Sequence, residues 1–231
     1  MRTITKEMRD SLTPIQALDL LKEGNKRFMN NLKVNRNLLQ QVNETASGQY
    51  PFAFILSCID SRTSAELIFD QGLGDIFSCR IAGNILNDDI LGSMEFACKL
   101  AGTKVIVVLG HTNCGAVKGA CEYVQMGHLT GLLEKIQSIA VNEQGNTINL
   151  SSDPLFVDHV TKLNIKYVMN EIPKRSPIIA DMLEKGDIII SGGLYEVDKG
   201  HVQFFEREIM ASPIQPIPAV PLISNVEYDK R

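Results

Sequence analysis

Three short segments carry residue types able to act together: Cys58-Ile59-Asp60-Ser61-Arg62, Arg80-Ile81-Ala82-Gly83-Asn84 and His111-Thr112-Asn113-Cys114-Gly115. Cys58, His111 and Cys114 offer two thiolates and one imidazole, a ligand set suited to zinc. Three protein ligands leave a tetrahedral ion one open position, where a bound water can react. Asp60 and Arg62 stand beside the first ligand, and Asp60 could instead close the shell. His-x-x-Cys alone is a weak pattern, and a single buried cysteine is more often a small core residue. Cys79, Cys98 and Cys121 read that way, because they fall inside a strand or helices. His-x-x-Cys after one buried strand, with Cys-x-Asp-x-Arg after another, is far more specific. A closed structural zinc site would normally add a fourth cysteine, and none has suitable spacing. His128, His159 and His201 lack a partner motif and read as surface or capping residues.

For the segments to meet, they must leave one edge of one sheet. Phe52 to Ser57 is an apolar run after Pro51, the pattern of a strand buried on both faces. Lys104 to Leu109 is the clearest strand, with Asp75–Ile81 and Asp187–Ser191 as further candidates. Helical patterns lie between them: Asp89–Ala101, Ala116–Met126 stopped by Gly127, Leu132–Ala140, and Leu155–Ile172 stopped by Pro173. This alternation predicts an α/β fold. Its central sheet has four mostly parallel strands plus an antiparallel edge strand over Gly200–Arg207, with helices on both faces. In such a sheet ligands bind beyond the carboxyl ends of the strands. Cys58 directly follows the first strand, His111 follows Leu109 after one glycine, and Cys114 is one tight turn further. The helix after Cys114 starts at the site, and its dipole favours thiolate.

Thr13-Pro14-Ile15-Gln16 reads as a capped helix start. It belongs to an N-terminal helical arm over 1–48 that precedes the α/β core at 49–210, the two forming a single catalytic domain. Gly127–Leu150 reads as a peripheral insertion. Residues 211–231 form a tail with four prolines between Ser212 and Pro221, too many for a helix or a ladder.

The 231 residues suffice for one sizeable domain, and a net charge of −4 without a basic run argues against nucleic acid or an anionic membrane surface as partner. The longest apolar runs are too short to span a membrane. Met1–Thr13 has no stretch like a signal peptide's, so the cytoplasm is the expected location. Five cysteines, an odd number in a chain of this size, favour free thiols or metal ligation over disulfides.

At these motifs the chain resembles the beta-class carbonic anhydrases, which carry Cys-x-Asp-x-Arg, an Arg-Asn-Ala-Gly-Asn-like segment and His-x-x-Cys-Gly in this order. The motifs run from about Gln49 to Gly119, with Ile81 where asparagine is common in the family. The resemblance implies zinc held by Cys58, His111 and Cys114, one ion per subunit. Asp60 would accept a hydrogen bond from a zinc-bound hydroxide, and Arg62 would hold Asp60 off the metal. Gln49, Phe77 and Phe96 fall where plant-like members place substrate-cleft residues, the aromatics across a dimer interface. Ala82 and Gly83 would line the cleft, and the Gly115 N–H would meet bicarbonate. The activity implied is reversible hydration of carbon dioxide by a carbonate dehydratase, a zinc lyase. The assembly implied is a homodimer or a higher homo-oligomer such as a tetramer. Two alternatives remain: a zinc hydrolase of carbonyl sulfide or carbon disulfide on the same fold, and a non-catalytic zinc or redox-sensing protein. Gln49 and the aromatic pair favour the plant-like subclass, in which Asp60 stays off zinc.

Overall fold

A computed structural model describes residues 3–142 and 153–205. Strands β1 (Ala53–Ser57), β2 (Ile76–Arg80), β3 (Val105–His111) and β4 (Ile189–Glu196) run parallel, and β5 (His201–Phe204) pairs antiparallel with β4. The order across the sheet is β2-β1-β3-β4-β5, with β2 and β5 at the edges. Every residue of β1 and β3 is buried, as their unbroken apolar runs require. The four parallel strands and antiparallel edge match the sequence expectation.

Helices cover both faces. On one face, α2 (Pro14–Met29) lays Leu18 and Leu21 against Ile55 and Val107, joined by Ile68 of α4 (Ala65–Ile68). Thr13 caps α2 in a reciprocal box: its Oγ1 accepts from Gln16 N, and Gln16 Oε1 accepts from Thr13 N. The helix precedes β1 as expected, but its apolar stripe makes it part of the core rather than a detached arm. Two shorter helices flank it, α1 (Lys6–Ser11) and α3 (Leu38–Thr45). On the other face, α5 (Asp88–Glu95), α8 (Pro154–Arg175) and α9 (Pro177–Glu184) pack on Phe54, Leu56, Ile106, Val108 and Ile190. At the carboxyl end of the sheet, α6 (Gly115–Cys121) and α7 (Gly127–Asn142) close a third cluster that contains Cys58 and Cys114.

Several boundaries differ from the sequence reading for physical reasons. β3 includes His111, which pairs with Tyr195 because β4 runs on to Glu196 instead of ending at Ser191. The helix over Asp89–Ala101 changes to a π turn at Phe96–Leu100 before Gly102 ends it with φ +81°. Gly127 opens α7 rather than stopping the preceding helix, which ends at Cys121 and turns at Tyr123 with φ +54°. The described part of the expected insertion is therefore not peripheral: Leu133 and Ile136 are fully buried beside the cysteines. Pro173 does not stop α8, since it removes one donor only; the helix ends at Ser176, whose N–H closes on Ile172 and whose Oγ caps α9. The tail at 211–231, the 143–150 part of the insertion and the last two residues expected in the edge strand lie outside the described residues. No helix among the described residues is long and apolar enough to cross a membrane.

Candidate metal centre and active site

β1 and β3 are neighbours in parallel register, with Ser57 opposite Leu109, so Cys58 and His111 reach the same edge of the sheet. Cys114 follows from the turn that opens α6, where Asn113 takes φ +54°. The ligand atoms of Cys58, His111 and Cys114 all lie within 4.8 Å of one another, and all three residues are buried. His111 is wholly enclosed, and its Nδ1 lies 2.9 Å from the Thr112 carbonyl. That contact requires the proton on Nδ1 and leaves a lone pair on Nε2, the usual arrangement of a metal-binding imidazole. Nε2 has no hydrogen-bond partner. A buried ring nitrogen without a partner, near two sulfurs, is expensive unless a cation completes it.

The two thiols are electrostatically linked. Cys58 is drawn down to about 4, chiefly by the hydrogen bond with Cys114 and against the cost of burial. Cys114 is pushed up by the same bond and by burial. Without a cation the pair thus holds one negative charge, and a dication between the sulfurs favours two. The Gly83 N–H donates to Cys58 Sγ at 3.4 Å. Burial instead raises the other thiols, Cys98 to about 12 and Cys79 and Cys121 above their ordinary value, as core cysteines should be.

Asp60 is clasped by Arg62 through three bonds: Arg62 N and Nε to Oδ1 at 3.0 and 2.9 Å, and Nη2 to Oδ2 at 2.8 Å. The Arg62 guanidinium holds the Asp60 carboxyl well below the usual carboxylate range, outweighing partial burial. Asp60 Oδ2 lies 4.0 Å from His111 Nε2, next to the ligand set but outside it. A cavity of about 470 Å³ opens here, lined by Cys58, Asp60, Ala82 and Gly115 and extended by residues of α6 and α7. A Cβ on Gly115 would meet nothing within 4 Å, so this glycine leaves the cavity wall open. Gly83 has the opposite reason: φ is +66°, and a Cβ would sit 2.5 Å from Ile136.

The remaining sequence candidates lie elsewhere in the chain. Gln49 is exposed and precedes β1, at the end of that strand opposite Cys58. Phe77 and Phe96 pack edge to face with centroids 6.2 Å apart. They line a separate cavity of about 570 Å³ with Cys79 and Ser93.

Sequence reasoning gave no role to the residues that hold the Cys58 loop. Arg80 donates to the carbonyls of Cys58 and Asp60 at 3.0 and 2.5 Å, and Thr63 Oγ1 donates to the same two at 3.0 and 2.9 Å. Asn164 of α8 donates to Gly83 O at 2.8 Å. Arg80 ends β2 and so faces the site's edge, a signal available from the strand reading. Asn164 had none.

The carbonic anhydrase family model matches residues 53–202. Carbonic anhydrase 2 of Mycobacterium tuberculosis is 36% identical over 193 residues, spanning 81% of this chain and 90% of its own. The chain belongs to the beta-class carbonic anhydrases. It is a carbonate dehydratase. The carbonic anhydrase of Mycolicibacterium smegmatis is 34% identical over 199 residues, covering 82% and 92% of the two chains. The solved structure of the β-carbonic anhydrase CafA of Aspergillus fumigatus superposes with a TM-score of 0.64 at 25% identity, covering 85% of this chain and 91% of that one. A tetrameric β-carbonic anhydrase of Sordaria macrospora shares the fold with a TM-score of 0.65 at 21% identity, over 79% and 90%. Among the described residues, Cys58, His111 and Cys114 form a cluster that could hold a metal ion.

Proposed function

We propose that this chain reversibly hydrates carbon dioxide to bicarbonate and a proton, using zinc held by Cys58, His111 and Cys114. The observation that carries the reading is the unpartnered, buried His111 Nε2, clustered with two cysteines beside an arginine-clasped carboxylate. Zinc, when bound, supplies Lewis acidity that brings the ionisation of water toward neutral pH.

The chain's own residues do the rest. Asp60, ionised, can only accept. Its Oδ2 accepts a hydrogen bond from the reacting water, which fixes that proton and leaves an oxygen lone pair for the substrate. Arg62 keeps Asp60 charged and turned away from the three ligands through its forked contact. Carbon dioxide carries no charge, so the small apolar wall at Ala82 suits it, with Gly83 next in the chain. The Gly115 N–H is the donor assigned to bicarbonate. This is the plant-like arrangement, with Asp60 off the metal. On this reading Gln49 contacts substrate and Phe77 and Phe96 serve the cleft across a dimer interface, so that a homodimer is the smallest complete unit and tetramers are allowed. Free cysteines accord with the reducing cytoplasm as location.

Metal analysis with stopped-flow hydration of carbon dioxide tests the reading. The expected result is stoichiometric zinc and hydration that disappears on chelation and returns with zinc. Zinc-loaded protein no faster than buffer overturns it. Faster turnover of carbonyl sulfide or carbon disulfide moves the substrate, and zinc binding without turnover of any of them points to a sensor.

A further inference from the structure

Hydration releases a proton that must reach solvent in every turnover, and Asp60 cannot carry it. Both Asp60 oxygens are engaged by Arg62. The cavity that starts at Cys58 and Asp60 runs along α6 to Lys118, Gly119 and Glu122. Lys118 offers donors and no acceptor oxygen. Glu122 is then the remaining carboxylate on the cavity wall among the described residues. We propose that Glu122 is the proton-transfer residue of this carbonic anhydrase, a role that rests on the hydration reading above.

Geometry supports this assignment in three ways. Glu122 stands seven residues beyond Gly115, two helical turns or about 10 Å along α6. That span is too long for direct contact with the reacting water and suits a short relay. At about 30 Å³ per water, a cavity of about 470 Å³ has room for such a chain. The Glu122 side chain is 39% exposed and Lys118 Nζ is 3.8 Å away, beyond a hydrogen bond, so the carboxylate can turn from cavity to solvent. Val124, Leu129 and Leu133 line the cavity around it and offer no competing acceptor. Cys121 beside it is a raised thiol, and the exposed His128 does not line the cavity.

The step balances without a further reagent. Water and carbon dioxide give bicarbonate and one proton; the proton passes through cavity water to a Glu122 carboxylate oxygen. The resulting carboxylic acid then gives it to a buffer base and returns to carboxylate.

The test uses the full zinc-loaded chain with Glu122→Gln, Glu122→Asp and His128→Gln, each measured at low and high imidazole, with zinc content and melting temperature beside them. For Glu122→Gln at low buffer, kcat falls about a hundredfold or more. Over the same range kcat/KM holds within about twofold and imidazole restores kcat. Glu122→Asp retains most of the turnover, His128→Gln matches wild type, and zinc content is unchanged in all three. Glu122→Gln as fast as wild type in low buffer overturns the proposal. So does a parallel fall of kcat and kcat/KM, loss of zinc or early melting in that variant, or a buffer-rescued loss in His128→Gln instead. Inactive zinc-loaded wild type refutes the hydration reading itself, an outcome distinct from all of these.

Discussion

Replacing Asp60 by asparagine keeps the shape of the side chain and removes its charge. Arg62 N and Nε can still donate to the amide oxygen at the Oδ1 position. The amide nitrogen then faces Arg62 Nη2 across 2.8 Å, donor against donor. Flipping the amide relieves that contact and breaks the other two. In either pose the acceptor at Oδ2, 4.0 Å from His111 Nε2, is lost or displaced. One hydrogen bond to a charged group is worth about 1.5–3 kcal/mol. The loss in kcat/KM for hydration is therefore about 10- to 150-fold. Stability should barely change, because Arg62 is half exposed and such pairs contribute about 0–1 kcal/mol. Stopped-flow hydration, zinc content and a melting curve on the same sample give all three quantities. A loss below about threefold with zinc retained refutes the orienting role of Asp60. A large loss accompanied by zinc release shows that Asp60 supports the metal instead.

Four further outcomes are expected. Cys114→Ser leaves His111 Nε2 with one sulfur, and metal analysis should find zinc reduced to a small fraction of the wild-type content. Leu133→Ala empties a fully buried position beside the cysteines, costing about 2–5 kcal/mol in urea unfolding. Gly83→Ala combines φ +66° with a 2.5 Å approach to Ile136; it should cost about 1–3 kcal/mol and weaken zinc retention in a chelator competition, since the Gly83 N–H holds Cys58. Asp70 is buried, which alone would raise its carboxyl, but Arg27 and Arg36 outweigh this and hold it below the ordinary value. A depressed folded pKa stabilises above the unfolded value of about 3.9 and is lost as pH falls through the folded value. Unfolding at graded pH should show that loss beginning near pH 4 in wild type and absent in Asp70→Asn, which is itself weakened by about 3–5 kcal/mol at neutral pH.

The meeting of Cys58, His111 and Cys114 was legible in the sequence because strand reading and side-chain chemistry coincide. Cys58 and His111 end buried apolar runs, and parallel pairing of β1 with β3 brings such ends together. The Thr13 box was legible for the same local reason. What escaped depends on contacts distant in sequence. The role of α7 follows from Leu133 and Ile136 meeting the cysteines, which periodicity alone does not reveal. Asn164 reaches Gly83 across 81 residues. The extension of β3 through His111 depends on β4 continuing beside it. Two glycines, Gly192 and Gly193, lie in that continuation and weaken the strand pattern.

Zinc K-edge absorption on the loaded protein near neutral pH tests the central claim most directly. Two sulfurs at about 2.3 Å and two lighter atoms at about 2.0–2.1 Å are expected, with a spectrum unchanged in Asp60→Ala. Fewer than two sulfurs, or a light-atom shell that changes when Asp60 is removed, would contradict it.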